Sequence, residues 1–325
     1  MSSIKYSIIV PVFNNQSGVD QIIEALHSIE GFGEKAELII VDDGSTIPIA
    51  VNESDWVRLI RQPNTGVSGA RNHGIKAAKG TYVSFLDSDD SYDTKVLNVW
   101  DEVTKQSTDA SVFVFEYRIC DRINNKIFYQ THKCGSGLYS GSDALKYYFE
   151  KQIFSHICSI VINRKFLIKN AILFNQNLAL SEDVLFAIEC IYYAPRVHVE
   201  RRSYFSYVIH KGSVTNVVAT EKVLNHFEAF KVINNVGVPY DIIPYRNYFI
   251  ATMYLNFLLK LISNKTSSEK VIVKTIRNRN FLQESLKSKF SIRYAVTLGF
   301  KLVSYLPSSF LKLLLSKVCL RRHEY

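Results

Sequence analysis

Short runs of consecutive apolar residues alternate, over the first third of the chain, with stretches in which apolar positions recur every three or four residues. Ser7-Ile8-Ile9-Val10-Pro11-Val12 is the first run, rich in β-branched residues and closed by Phe13-Asn14-Asn15, and it predicts a central strand. From Gly18 to Ile29 the residues Val19, Ile22, Ile23, Leu26 and Ile29 share one helical face. Glu37 to Val41 and Val57 to Ile60 predict two further strands, and Gly66 to Lys79 predicts a helix entered through a glycine-rich turn. Tyr82 to Leu86 is a fourth strand and, after another helix, Ala110 to Phe115 a fifth. Strands that are apolar throughout and alternate with helices imply a parallel sheet covered on both faces. Such sheets bind ligands beyond the carboxyl ends of their strands, where the winding direction reverses. The polar clusters Asn14-Asn15, Asp42-Asp43 and Asp87 to Asp90 each follow a strand's carboxyl end, so the three are expected to converge on one crevice.

After about residue 120 the pattern loosens. It predicts a hairpin near Lys126 to Gln130, a helix from Ser142 to Glu150, a strand around Cys158 to Ile162, and a helix from Val184 to Tyr193 led in by Ser181-Glu182-Asp183. From Glu221 onward helical patterns dominate, with no internal repeat and no low-complexity linker. No stretch has the eighteen or more apolar residues that a membrane span requires, and Lys260 interrupts the nearest one, Phe249 to Ile262. On a helical wheel, Ile292 to Leu306 places Arg293, Thr297, Lys301 and Ser304 on one narrow arc with apolar residues elsewhere, which predicts a helix buried on most of its surface. After Pro307, Phe310, Leu311, Leu314, Leu315 and Val318 form another apolar face, with Lys312 opposite and Arg321-Arg322 following.

Composition narrows the class. At 325 residues, 47% apolar and 21% charged, the chain has the make-up of one large or two modest globular domains. Its five cysteines are scattered without CxxC spacing, which points to free thiols in a reducing compartment, and Met1-Ser2-Ser3 leaves no room for a secretory signal before the first strand. A cytoplasmic protein is expected. The net charge of +9 is uneven, since residues 260–325 hold 14 Lys and Arg against three acids, a net +11, while residues 1–259 hold 25 basic and 27 acidic residues. A near-neutral body with a basic tail does not call for nucleic acid. Basic amphipathic helices rich in Leu and Phe suit an anionic membrane surface; packing on the catalytic domain or in a homodimer is the alternative.

Candidate chemistry begins with Asp87-Ser88-Asp89-Asp90. Carboxylates this close repel one another and need a cation or several hydrogen-bond donors, so the cluster asks for a divalent metal unless it is a solvated turn or a helix cap. Gly66, Gly69 and Gly74 do not make GxGxxG after the first strand, which argues against a dinucleotide-dependent dehydrogenase.

Pro11-Val12-Phe13-Asn14, Val41-Asp42-Asp43-Gly44-Ser45-Thr46, Gly69-Ala70-Arg71-Asn72-His73-Gly74 and Phe85-Leu86-Asp87-Ser88-Asp89-Asp90, in this order and followed by Glu182-Asp183, resemble the motifs of family 2 glycosyltransferases over roughly residues 5 to 215. The resemblance implies an α/β, doubly wound GT-A fold with a mostly parallel central sheet, a Rossmann-like nucleotide-binding half and, here, a helical C-terminal extension. It implies a nucleotide-sugar donor, Mn2+ or Mg2+, and inversion at the anomeric carbon. On this reading residues 1–218 are the catalytic domain, with 1–118 binding the donor and 119–218 the acceptor, and residues 219–325 form a basic helical region meeting a membrane surface or a second copy.

The resemblance also implies roles. Asp89 matches the last acid of the Asp-x-Asp motif and is the expected metal ligand; Asp87 matches the first and is expected at the ribose or, through water, at the metal. Asp90 suits a helix cap as well as a functional role. Asp43 is expected to accept from uracil N3–H, which would make UDP the preferred nucleotide. Pro11, Phe13 and Asn14 wall the base, and Val12, Asp42 and Ser88 complete the donor site. Arg71 is expected to face the base or the diphosphate. Asp183 is the expected base for the acceptor hydroxyl, its alternative being a favourable contact with a helix N-terminus. Ile209 to Thr215 resembles the loop that closes over the diphosphate, where His210 would complete the metal shell or donate to a phosphate and Lys211 and Ser213 offer further donors. His73 and His156 read as packed or surface residues. The function implied is transfer of a hexosyl or N-acetylhexosaminyl group from a UDP-sugar to a hydroxyl of a lipid-linked saccharide at the inner face of a bacterial plasma membrane, as in O-antigen or capsule synthesis. The rival readings are a metal-dependent nucleotidyltransferase, which would release pyrophosphate, and a non-catalytic UDP-sugar-binding membrane partner.

Overall fold

The computed structural model of the chain describes residues 4–210, 225–263, 269–288, 290–307 and 309–310. They divide into two units, Met1–Leu145 with Gln152–Lys211 and Lys146–Lys151 with Gly212–Tyr325. In the first unit, strands β1 (Tyr6–Val12), β2 (Ala36–Asp42), β3 (Val57–Arg61) and β4 (Tyr82–Phe85) lie parallel in the order β3-β2-β1-β4. Every residue of β1 and β2 is buried, which is why both read as continuous runs. The polar residues within them are satisfied internally, as where the Ser7 hydroxyl donates to Glu37 Oε1 at 2.6 Å.

The chain starts at β1, winds outward to β3, and returns to β4 on the other flank of β1, so the switch point lies between β1 and β4. Helix α1 (Gln16–His27) leaves β1, and α2 (Gly66–Ala77) joins β3 to β4, packing on β1 and β2. That packing is close because Gly74 has no side chain; a Cβ there would lie 2.3 Å from Ile9 Cγ2.

Beyond β4 the sheet becomes mixed. It continues through β9 (Ile160–Asn163), β6 (Val112–Asp121) and β10 (Arg196–Ile209) to β5 (Ser91–Tyr92), while β7 (Lys126–Gln130) pairs with β6 and β8 (Gly137–Ser140) with β10. The strand expected near Cys158 is β9, antiparallel to both neighbours, and the expected fifth strand is β6, parallel to β10. Strand β10 itself has no counterpart in the sequence reading. Its polar middle, Glu200-Arg201-Arg202-Ser203, breaks the apolar run, and that is where its pairing with β6 shifts register. Helices α3 (Val96–Gln106), α4 (Gly141–Phe149), α5 (Arg164–Lys169) and α6 (Glu182–Tyr193) complete the unit, the last turn of α4 belonging to the second one. The division expected at 118/119 falls inside β6, so one sheet runs through both halves; the boundary at 218/219 lies outside the described residues.

In the second unit, α8 (Ile243–Ser263) packs against α7 (Asn225–Asn235), α9 (Glu269–Arg277), α10 (Asn280–Gln283) and α11 (Ile292–Val303) around Phe227, Phe230, Tyr254 and Phe281. Among the described residues no helix is long and apolar enough to cross a membrane. Helix α11 reverses the expectation from its wheel: Thr297 on the polar arc is 1% exposed, while Ile292 and Leu302 are 84% and 73% exposed. The buried hydroxyls bond to their own helix, Thr297 to Arg293 O at 2.8 Å and Ser304 to Lys301 O at 2.7 Å, so they pack as small residues. The apolar face after Pro307 lies almost wholly outside the described residues.

Gly74→Ala is expected to destabilise the first unit by about 1–3 kcal/mol through overpacking. Ile9→Ala removes the opposing γ-carbons, so the double variant should lose less than the sum of the single losses in urea midpoints. Strict additivity would show that the close approach is not the constraint.

Candidate active site

The three polar clusters meet at the carboxyl ends of β1, β2 and β4, where Val12 pairs with Asp42 and Ile9 with Phe85. Asn14, at φ 55°, receives Thr46 N–H on Oδ1 and donates its own N–H to Ser45 Oγ, both at 2.8 Å. Asn15 caps α1 by accepting from Gly18 N at 3.1 Å, and its amide nitrogen donates to Ser88 O at 3.1 Å and Ser88 Oγ at 2.9 Å. Gly18 lies so close to the same loop that a Cβ would be 2.0 Å from Ser88 O. The loop after β1 is thereby stitched to both neighbouring loops.

Asp42 and Asp43 face protein donors. Asp42, fully buried, accepts from Ser45 N at 2.9 Å and Ile49 N at 3.2 Å. Burial opposes its ionisation, but these bonds and the Arg61 guanidinium 3.8 Å away hold its carboxyl below the usual range. Its expected place in the donor site is therefore corrected to holding the turn that carries Asp43 and Ser45. Pro11 and Val12, the last two residues of β1, are both buried, whereas Phe13 and Asn14 beyond the strand are exposed. Asp43 Oδ1 accepts from Thr65 N at 2.9 Å and Gln62 Nε2 at 2.8 Å, and Oδ2 from Gly66 N at 2.8 Å, leaving Oδ2 a second lone pair.

The four residues after β4 divide by environment. Arg71 is buried, its side chain 4% exposed, and it bridges two carboxylates: Nη2 donates to Asp87 Oδ1 at 2.8 Å and Nη1 to Glu182 Oε1 at 3.3 Å. Its guanidinium carbon lies 5.2 Å from the centre of the Phe174 ring. Burial disfavours its charge, but Asp87 and Glu182 outweigh burial and raise its pKa. Burial likewise works against Asp87 ionising, and Arg71 with His156 overcomes it, holding that carboxyl below the ordinary range. Glu182 is raised by burial and then by the charge of Asp183, with Arg71 opposing. Asp90 accepts from Val208 N at 2.8 Å, and its Oδ2 has no hydrogen-bond partner among the described residues. Burial, followed by Asp87 and Asp89, pushes it up to about 9, so it is uncharged at neutral pH. The repulsion that the sequence poses is thus relieved inside the protein, by an arginine for Asp87 and by protonation for Asp90.

Asp89 remains exposed, at 41% of its side chain. Its Oδ2 lies 2.9 Å from Nε2 of His210, itself 40% exposed and 121 residues away in sequence. Adjacent corners of an octahedron with bonds of about 2.1 Å lie about 3 Å apart, so this pair fits two ligands of one divalent cation. The bond from Val208 to Asp90 fixes the end of β10 and with it the start of His210. Lys211 lies outside the described residues.

Asp183 sits in the first turn of α6, half-buried, with Oδ1 accepting from Val184 N at 2.8 Å. Its neighbour Glu182 is the acid tied to Arg71, so the pair splits into an inward and an outward carboxylate. His156, which the sequence left as a packed residue, stacks on Phe205 with centroids 4.9 Å apart, and its Nδ1 accepts from Cys158 N at 3.3 Å. Burial depresses it, while Asp87 and Asp183 pull the other way, so it lies in the field of both carboxylates. A lone histidine in a loop carried no signal of that position. Asn72 pins the segment before α6 by bonding Phe174 at N and O, at 2.8 and 2.9 Å. Phe174 in turn stacks on Phe186 of α6 at 3.9 Å.

The profile of "Glycosyl transferase family 2" matches residues 7–170. The chain is similar to the uncharacterised glycosyltransferase YibD of Escherichia coli K12, 29% identical over 227 residues that make up 66% of the chain and 64% of YibD, just under two thirds of that relative. It is 30% identical over 216 residues to the succinoglycan biosynthesis protein ExoW of Rhizobium meliloti, covering 59% of the chain and 65% of ExoW. The fold is similar to that of Staphylococcus aureus TarS 1-349 in complex with UDP-GlcNAc, with a TM-score of 0.65 at 17% identity over 93% of the chain and 89% of TarS.

Arg71→Met leaves Asp87 and Glu182 without a buried cation and is expected to cost about 3–5 kcal/mol. In the native protein, stability from the lowered Asp87 is complete above its unfolded pKa near ~3.9 and is lost as pH falls through the folded value. In the variant both carboxyls move up, so stability should rise more steeply as pH falls from 7 toward 5 than in the native protein, where the raised Asp90 and Glu182 already give a slope of that sign. Urea titrations at several pH values compare the slopes; equal slopes would sink the assignment.

Proposed function

The chain belongs to glycosyl transferase family 2, and on that footing we propose that it is an inverting transferase moving a hexosyl or N-acetylhexosaminyl group from a UDP-sugar to a saccharide hydroxyl in bacterial surface polysaccharide synthesis. The observation that carries this reading is the meeting of Asp89 with His210 at the switch-point crevice. A carboxylate and an imidazole suit Mn2+ better than Mg2+, which prefers oxygen ligands alone. A divalent ion bound there supplies charge neutralisation for the departing diphosphate.

The chain's own residues do the rest. Asp43 Oδ2 accepts from the N3–H of uracil, with Pro11, Phe13 and Asn14 beside the base. Asp87, oriented by Arg71, presents its second oxygen to the ribose, while Ser88, held by Asn15, keeps the loop in register. Asp183 takes the proton from the acceptor hydroxyl as that oxygen attacks the anomeric carbon from the face opposite the diphosphate, giving inversion. ExoW is by name a succinoglycan biosynthesis protein and TarS is crystallised with UDP-GlcNAc, and these support the substrate class without fixing the sugar. A lipid-linked acceptor at the inner face of the plasma membrane suits the +11 charge of residues 260–325, which favours an anionic membrane surface.

Asp183→Asn should lower kcat by about 10²–10⁴-fold while the melting shift produced by UDP stays nearly native. Substantial residual turnover would remove Asp183 from the mechanism. Asp89→Asn and His210→Ala should each abolish the part of the UDP melting shift that depends on Mn2+ and leave the metal-free part. A panel of nucleotide-sugars in the same assay names the base, and release of UDP rather than pyrophosphate separates sugar transfer from nucleotidyl transfer.

A further inference from the structure

With Thr297 and Ser304 of its polar arc turned inward, helix α11 leaves Ile292, Val296 and Leu302 outside, and Phe290 just before it is 88% exposed. Single exposed apolar residues are ordinary, but these share one face of a helix and its leading turn. At the start of the same helix, within the same unit, cations gather on aromatic rings. Lys146 and Lys287 Nζ lie 4.9 and 5.4 Å from the centre of Tyr245, and Lys151 Nζ lies 3.8 Å from that of Phe249. Arg293, in the first turn of α11, lies near Lys151; burial, and then this guanidinium, lower the Lys151 ammonium to about 7. Lys146 feels the charge of Glu150, yet among the described residues none of these cations forms an ion pair with a carboxylate. Lys287 is fixed to the start of α8 by its N–H bond to Pro244 O at 3.0 Å, and Tyr294 packs on Tyr248 with centroids 5.4 Å apart.

We propose that this face docks on an anionic phospholipid bilayer, with Phe290, Ile292, Val296 and Leu302 entering the boundary between headgroups and acyl chains while Lys146, Lys287 and Arg293 meet lipid phosphates. The inference rests on the membrane reading given above and adds which face of which helix makes the contact. Charge favours a bilayer over a second copy of the chain. A two-fold contact through this face would set the same cations against one another, whereas a bilayer supplies phosphates for the cations and hydrocarbon for the stripe.

Co-sedimentation of the full chain with vesicles of phosphatidylglycerol or of phosphatidylcholine tests it. The native chain is expected to bind the anionic vesicles and to lose binding as salt rises. Ile292→Asp with Leu302→Asp should weaken that binding by tenfold or more, and Lys287→Gln with Arg293→Gln by about tenfold, while the UDP melting shift stays native in both. Variants that bind as the native chain does would overturn the assignment of this face and leave the membrane reading standing; absence of native binding would overturn both. A native dimer by light scattering that the aspartate variant converts to monomer, with vesicle binding retained, would assign the face to a second copy instead.

Discussion

A single buried guanidinium holds the crevice together. Arg71 has almost no solvent to stabilise its charge, so its position is determined by the two carboxylates that it touches, Asp87 on the loop after β4 and Glu182 at the start of α6. Because a buried charge without partners is far more costly than a paired one, the three groups lock one another in place. Arg71 thereby ties the loop after β4 to the first turn of the helix bearing Asp183. Asn72 and Phe174 add a second tie one residue further along α2, so the helix behind the parallel strands sets the position of residues from the later half of the unit.

Around that lock the carboxyl groups take different states at one pH. Asp87 is ionised and paired, Asp90 is neutral and buried, and Asp89 is exposed beside an imidazole. The differences come from environment alone, since all three are aspartates within four residues. Asp90 combines burial with a bond from Val208 N–H that holds the backbone of β10, although that bond alone favours the ionised form.

Much of this was legible in the sequence. Strands buried on both faces announce themselves as unbroken apolar runs, so β1, β2 and β4, and the clusters at their ends, were found where they lie. Asp89 and His210 were paired through the family resemblance, and the structure brings them together. What escaped was of two kinds. Strand β10 and helix α11 defeat periodicity, one because a polar stretch coincides with a shift of register, the other because Thr297 and Ser304 satisfy their hydroxyls locally and pack inward. The roles of Arg71, Asn15 and His156 escaped because partners distant in the chain define them, and a side chain's partner is not written in its own neighbourhood.

The bond between Asp90 and Val208 spans 118 residues and the contact between Arg71 and Glu182 spans 111. Synthesis proceeds from the amino terminus, so the Rossmann-like half emerges from the ribosome long before either partner exists. Until β10 arrives, Asp90 lacks the amide that it accepts from and Arg71 lacks one of its two carboxylates. The nascent chain can therefore form its first strands early, but the crevice at their ends lacks Glu182, Val208 and His210 until the later segments have been made.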